Sequence, residues 1–113
     1  WVVGFSFGAF IALNLLMRRP EIQNFIAISP PADKYDFSFL APCPVSGMII
    51  QGDNDDIVNE TDVALFANKL DAQRSISIKY NKIRGADHFF TDKLDIVNNT
   101  IKKYVSKTLI STT

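Results

Sequence analysis

Three short segments hold the residue types needed for nucleophilic acyl transfer: Gly4-Phe5-Ser6-Phe7-Gly8, Gly52-Asp53-Asn54-Asp55-Asp56-Ile57-Val58 and Gly85-Ala86-Asp87-His88-Phe89-Phe90. A serine hydroxyl is a weak nucleophile until a base takes its proton, and an imidazole does so best when a carboxylate holds its ring. Gly4 to Gly8 has the G-x-S-x-G spacing of a sharp strand-to-helix turn. There the small neighbours at 4 and 8 are expected to let the chain fold back, lifting the Ser6 hydroxyl clear and aiming the Phe7 N–H at the same point. At the positive end of a helix, that N–H is placed to stabilise an oxyanion.

Each segment has a plainer explanation. Ser6 could be a capping serine in a glycine-flanked turn. The aspartates at 53, 55 and 56 could form a solvated acidic turn, and spacing alone does not choose among them. A calcium loop fails, because the glycine required at its sixth position is Val58 and the glutamate required at its end is Ala64. His88 is the only histidine; a lone histidine is commonly structural, but any imidazole that activates Ser6 must be this one. Phe89 and Phe90 suggest a loop pinned by burial, and Asp87, as an adjacent loop residue, is not expected to face the ring. One histidine and one cysteine do not make a zinc site. Cys43, between Pro42 and Pro44, reads as loop packing rather than a nucleophile.

The elements that must position these residues alternate. Trp1 to Phe5 reads as the end of a strand. Phe7 to Arg19 reads as a helix apolar nearly all round, hence buried on most sides, and stopped by Pro20. Phe25 to Ile28, within 24–29, is a continuous apolar run typical of a central parallel strand. Residues 30–45, with four prolines and no periodicity, read as loop. Gly47 to Gln51 repeats the buried-strand pattern. Asn59 is expected to cap a helix with Val63, Phe66, Ala67 and Leu70 on one face. Ser75 to Tyr80 alternates as a half-wet edge strand. Thr91 is expected to cap a last helix with Leu94, Val97, Ile101, Tyr104 and Val105 on one side, and Leu109 to Thr113 to fray. This order predicts an α/β fold, three layers (α/β/α) around a mostly parallel sheet of about four strands with three helices. The three candidate segments then fall beyond carboxyl ends of strands, where chemistry gathers in such sheets.

Composition narrows the function classes. With 113 residues, one domain over 1–113 is expected. Twelve basic and twelve acidic side chains leave no net field to recruit nucleic acid or an anionic membrane, so neither is an expected partner. No apolar run nears the roughly 20 residues that span a bilayer. The start, Trp1-Val2-Val3-Gly4, resembles no signal peptide and carries no initiator Met, so a cytoplasmic protein and a cut N-terminus are expected.

Taken together, GFSFGA, PPADKYDFS, QGDNDDIV and GADHFF resemble small bacterial α/β-superfamily hydrolases related to dienelactone hydrolases. The resemblance spans essentially the whole chain. It implies Ser6 as nucleophile, Asp55 as acid (on the G-x-x-D-x-[IV]-V pattern) and His88 as base, in the order nucleophile, acid, base. Serine replaces the cysteine of dienelactone hydrolases proper, so that substrate is not implied. The strands and helices that precede the elbow in complete members are not in the chain. The second oxyanion N–H is therefore expected to be missing, and the strand of Val2 and Val3 to have an open edge. The expectation is a serine hydrolase acting on a small soluble ester, thioester or related acyl substrate without a cofactor or metal, impaired in this form. The alternatives are a non-catalytic half that assembles with a separate N-terminal half or as a homo-oligomer across the open edge, and an inactive remnant.

Overall fold

The computed structural model describes residues 1–73 and 75–112, with 110–112 described through their backbone alone. Four strands, β1 (Val2–Phe5), β2 (Phe25–Ile28), β3 (Gly47–Gly52) and β4 (Ile78–Ile83), lie in the order β1-β2-β3-β4, and every pair is parallel. Among the described residues three α-helices accompany them: α1 (Phe7–Arg18), α2 (Glu60–Asp71) and α3 (Leu94–Thr112).

The alternation of side chains along β2 and β3 sorts the core into two faces. Phe25, Ala27 and Ile49 pack with Ala9, Leu13 and Leu16 of α1 and Val63, Ala67 and Leu70 of α2. Ile26, Met48 and Ile50 point the other way, onto Val97 of α3 and its half-buried Ile101, Tyr104 and Val105. The result is the expected three-layer arrangement. Full burial of side chains such as Leu13 and Leu16 stabilises it by roughly 1.5–3 kcal/mol each. Asn59 caps α2, its side-chain oxygen accepting from the Thr61 N–H at 2.8 Å. Among the described residues, no helix is long and apolar enough to cross a membrane.

Several expectations are corrected. The last strand runs from Ile78 to Ile83 rather than 75–80, because its length is set by pairing with β3, from Gly47 opposite Ile78 to Gly52 opposite Ile83. The alternation did identify its inner face, since Ile76, Ile78 and Tyr80 all pack with the same core cluster. Helix α1 is buried on one side only: Ile11, Leu15 and Met17 are exposed, since the sheet covers a single face of it. Thr91 does not cap α3, which begins at Leu94; it is bonded instead to Asp87. Leu94 is exposed, one turn short of where α3 meets the sheet. Helix α3 continues to Thr112, through most of the segment expected to fray; Thr113 lies outside the described residues. The open edge at β1 is present among the described residues, with Val3 56% exposed.

The elbow's two glycines are unequal. A Cβ on Gly4 would sit 2.3 Å from the Gly8 carbonyl oxygen and 2.7 Å from Ala9 Cα, so only glycine lets β1 run this close to α1. A Cβ on Gly8 would meet nothing within 4 Å, which corrects the expectation that both positions must be small. Gly4→Ala is therefore expected to destabilise the protein by about 1–3 kcal/mol through overpacking against backbone. Gly8→Ala should be neutral or stabilising by up to about 1 kcal/mol, as for alanine in a helix. Urea denaturation of the two variants checks this; equal losses would contradict it.

Candidate active site

The strand-to-helix turn holds Ser6 at φ 56°, ψ −122°, a region that L-residues with a Cβ rarely occupy and that costs about 1–3 kcal/mol unless the surroundings impose it. Here they do. The Ser6 N–H donates to the Ile28 carbonyl at 2.8 Å, tying the turn to the end of β2, and the Ser6 carbonyl accepts from the Ala9 N–H in the first turn of α1. The Phe7 N–H opens α1, where the helix supplies no acceptor for it.

Asp55 comes from the loop after β3. That loop is pressed against the loop after β4: a Cβ on Gly52 would meet the Ala86 carbonyl oxygen at 2.3 Å, and the Asn54 N–H donates to that same oxygen at 3.0 Å. Asp53 makes no hydrogen bond to the imidazole among the described residues; its carboxylate accepts from the Gly85 N–H at 2.6 Å, bracing the same pair of loops. Asp56 makes no comparable bond to the cluster and is exposed.

His88 lies beneath this contact, its side chain only 4% exposed. Nδ1 is 2.8 Å from Asp55 Oδ2, and Nε2 is 2.9 Å from Ser6 Oγ. Of the two phenylalanines expected to pin the loop, Phe90 is buried and Phe89 is 60% exposed. Phe89 instead stands edge-on to the imidazole at 5.0 Å, with Phe5 against the ring at 5.3 Å. Asp87 turns away and accepts from Phe89 N–H, Thr91 N–H and the Thr91 hydroxyl, which hold its carboxyl below the usual range.

The Asp55 side chain has no solvent exposure, and both of its oxygens are engaged twice. Oδ1 accepts from the Ile57 and Val58 N–H groups, each at 2.8 Å; Oδ2 accepts from His88 Nδ1 and, at 3.0 Å, from Gln51 Nε2. Burial pushes the carboxyl pKa up, but the hydrogen bonds from Val58, His88, Ile57 and Gln51 outweigh it and hold Asp55 below its ordinary value. A carboxylate only accepts, so the imidazole nitrogen facing it carries the hydrogen and Nε2 is left as acceptor toward the Ser6 hydroxyl. That tautomer can remove a proton from serine.

The structure thus brings together Ser6, Asp55 and His88, with Phe7 at the rim. Two supporting residues escaped the sequence reading. Gln51, the penultimate residue of the buried strand β3, donates to Asp55. Ser29, also buried, sits at φ 51° after β2 and donates its hydroxyl to the His88 carbonyl at 3.3 Å. The available signal was a polar residue closing an apolar run. Cys43 is buried, its thiol pKa raised by that burial, consistent with packing.

No family model matches the chain. It is 56% identical over 108 residues to the uncharacterized protein RP471 of Rickettsia prowazekii, covering 92% of this chain and 45% of that one. Among solved structures, ATU1826 of Agrobacterium tumefaciens, a protein of unknown function provisionally assigned to the α/β hydrolases, matches with a TM-score of 0.96. Its identity is 48%, covering 98% of this chain and 51% of that one. XC6422 of Xanthomonas campestris, described as an α/β serine hydrolase without lid, matches with a TM-score of 0.81 and 33% identity, covering 95% of this chain and 46% of that one. Over nearly its whole length the chain has the α/β-hydrolase fold, and it spans about half the length of the relatives it matches.

The depressed Asp55 pKa has a consequence for stability. A carboxyl whose folded value lies below its ordinary 3.8 contributes stability that is present above that value and is lost as pH falls through the folded value. The stability gap between wild type and Asp55→Asn is therefore expected to narrow as pH is lowered from about 6 to about 3. Thermal melts across that range check it; a gap independent of pH would contradict the assignment.

Proposed function

We propose that the protein is a serine hydrolase that cleaves an ester, thioester or related acyl bond through an acyl-enzyme. The observation that supports this is the unbroken relay from Ser6 Oγ through His88 to Asp55, 2.9 and 2.8 Å long, on a serine held in strained backbone. As His88 Nε2 accepts the hydroxyl proton, Ser6 Oγ bonds to the substrate carbonyl carbon, and the carbonyl oxygen becomes an oxyanion held by the Phe7 N–H. Imidazolium, stabilised by Asp55, then protonates the leaving group as the scissile bond breaks. A water deprotonated by His88 attacks the acyl-enzyme and releases the acid, restoring Ser6. No cofactor or metal enters this sequence.

The substrate side is apolar and open. Phe7 is 52% exposed and meets Tyr35 at 5.5 Å, while Phe5 and Phe89 flank the imidazole. The segment between β2 and β3 carries only the short 3-10 turn Ser38–Leu40, too little for a lid, which favours small soluble acyl substrates.

The reading includes an assembly partner. The free edge of β1, with Trp1, Val3 and Phe5 exposed on the sheet face that α3 covers and Ile11 and Leu15 of α1 exposed on the other, favours a strand-bearing upstream segment of the α/β-hydrolase kind lying along it. Such a segment would also supply the second oxyanion donor.

A fluorophosphonate probe tests both parts. Labelling is expected on Ser6, absent in Ser6→Ala, and ester turnover in Asp55→Asn should fall on the order of 10⁴-fold. The chain alone should label more slowly than with the upstream segment, by about 100-fold for one lost oxyanion donor. Labelling that survives Ser6→Ala would overturn the nucleophile assignment. Equal rates with and without the segment would overturn the partner. No labelling in either form would favour an inactive remnant.

A further inference from the structure

Gln51 stands at the carboxyl end of β3, after Met48, Ile49 and Ile50, and like them it is fully buried. Strand position and surroundings call for an apolar side chain there. Its Nε2 nevertheless spends both hydrogens, one on Asp55 Oδ2 at 3.0 Å and one on the Gly52 carbonyl at 3.2 Å. Its Oε1 is buried and meets no protein donor among the described residues. Turning the amide over would aim Oε1 at a carboxylate oxygen, so the orientation with an unpaired acceptor is the one the carboxylate dictates. A buried polar group held in a locally unfavourable setting, with the shorter of its two bonds made to the site, is the pattern of a residue kept for the site rather than for the fold alone.

The geometry of Asp55 shows what that bond supplies. Rotation about Cβ–Cγ would carry both oxygens together; the Ile57 and Val58 N–H groups resist it from the Oδ1 side, and a donor on Oδ2 resists it from the side that faces the imidazole. His88 cannot be the only anchor of Oδ2, because the imidazole is the group being positioned and changes charge during turnover. Gln51, on a rigid central strand paired on both sides, is the second fixed point.

We propose that Gln51 is a positioning residue that locks the Asp55 carboxylate plane so that Oδ2 stays aimed at His88 Nδ1 through the reaction; this rests on the Ser6–His88–Asp55 reading above. Removing the donor while keeping the shape releases Oδ2, loosens the imidazole and slows the proton transfers. It leaves acyl-substrate binding at the Phe7 side untouched. It removes an acceptor without a protein partner but leaves Asp55 Oδ2 and the Gly52 carbonyl each one donor short, so a modest loss of stability accompanies the loss of positioning.

The test uses the full-length protein and two variants, Gln51→Met, close in shape, and Gln51→Leu. For hydrolysis of a p-nitrophenyl ester, kcat is expected to fall on the order of ten-fold or more in both, with KM within about two-fold of wild type. Tm is expected to fall by less than about 10 °C, with the folded state retained. Because the chain has a single histidine, the low-field proton resonance of His88 Nδ1–H reads the Asp55 bond directly, and it should shift or broaden in both variants. Wild-type kcat with an unmoved resonance would overturn the proposal, as would loss of the folded state in both variants, which would make Gln51 a structural residue. If wild type itself hydrolyses no ester, the hydrolase reading fails, and the resonance alone still decides whether Gln51 fixes Asp55.

Discussion

A carboxylate cut off from water is tolerable only when donors replace its hydration shell, and Asp55 meets that condition with four hydrogen bonds on two oxygens. The bond to His88 is the one on which the rest of the site turns. It fixes which ring nitrogen bears hydrogen and therefore whether the other can accept from Ser6. The three further donors keep Asp55 ionised despite burial, so the orientation of the imidazole depends ultimately on the backbone of residues 57 and 58 and the amide at 51.

The fold exists in a form that can deliver this. A parallel sheet ends all its strands at one rim, and β1, β3 and β4 release Ser6, Asp55 and His88 there, while β2 ends in Ser29 beneath the histidine loop. Close backbone approaches set the reach between loops: Gly4 against Gly8 in the elbow, Gly52 against Ala86 between the loops that carry Asp55 and His88. Strain at Ser6 is held in place by the hydrogen bond to β2 and by the helix that begins at the next residue.

Much of this was legible in the letters, because a nucleophile–base–acid constellation needs scarce residue types. Ser6 stood out by its glycine spacing and His88 by being alone. Asp55 did not stand out among three neighbouring aspartates; only the motif resemblance separated it, and the structure shows Asp53 spent on Gly85 instead. Gln51 and Ser29 looked like strand boundaries, since a one-dimensional pattern cannot show that a polar terminus points inward at another loop. The apolar surface of α1 was visible, but what covers it is a matter of neighbours, and Ile11 and Leu15 turned out exposed. The extent of β4 was likewise decided by its partner β3 and not by its own alternation.

The most direct measurement is of the ¹⁵N shifts of the one imidazole in the full-length protein near neutral pH. With Asp55 ionised and bonded to the ring, the neutral form should carry its hydrogen on Nδ1 and leave Nε2 bare toward Ser6. A ring that carries it on Nε2, or exchanges freely between the two tautomers as in water, would contradict the arrangement on which the hydrolase reading stands.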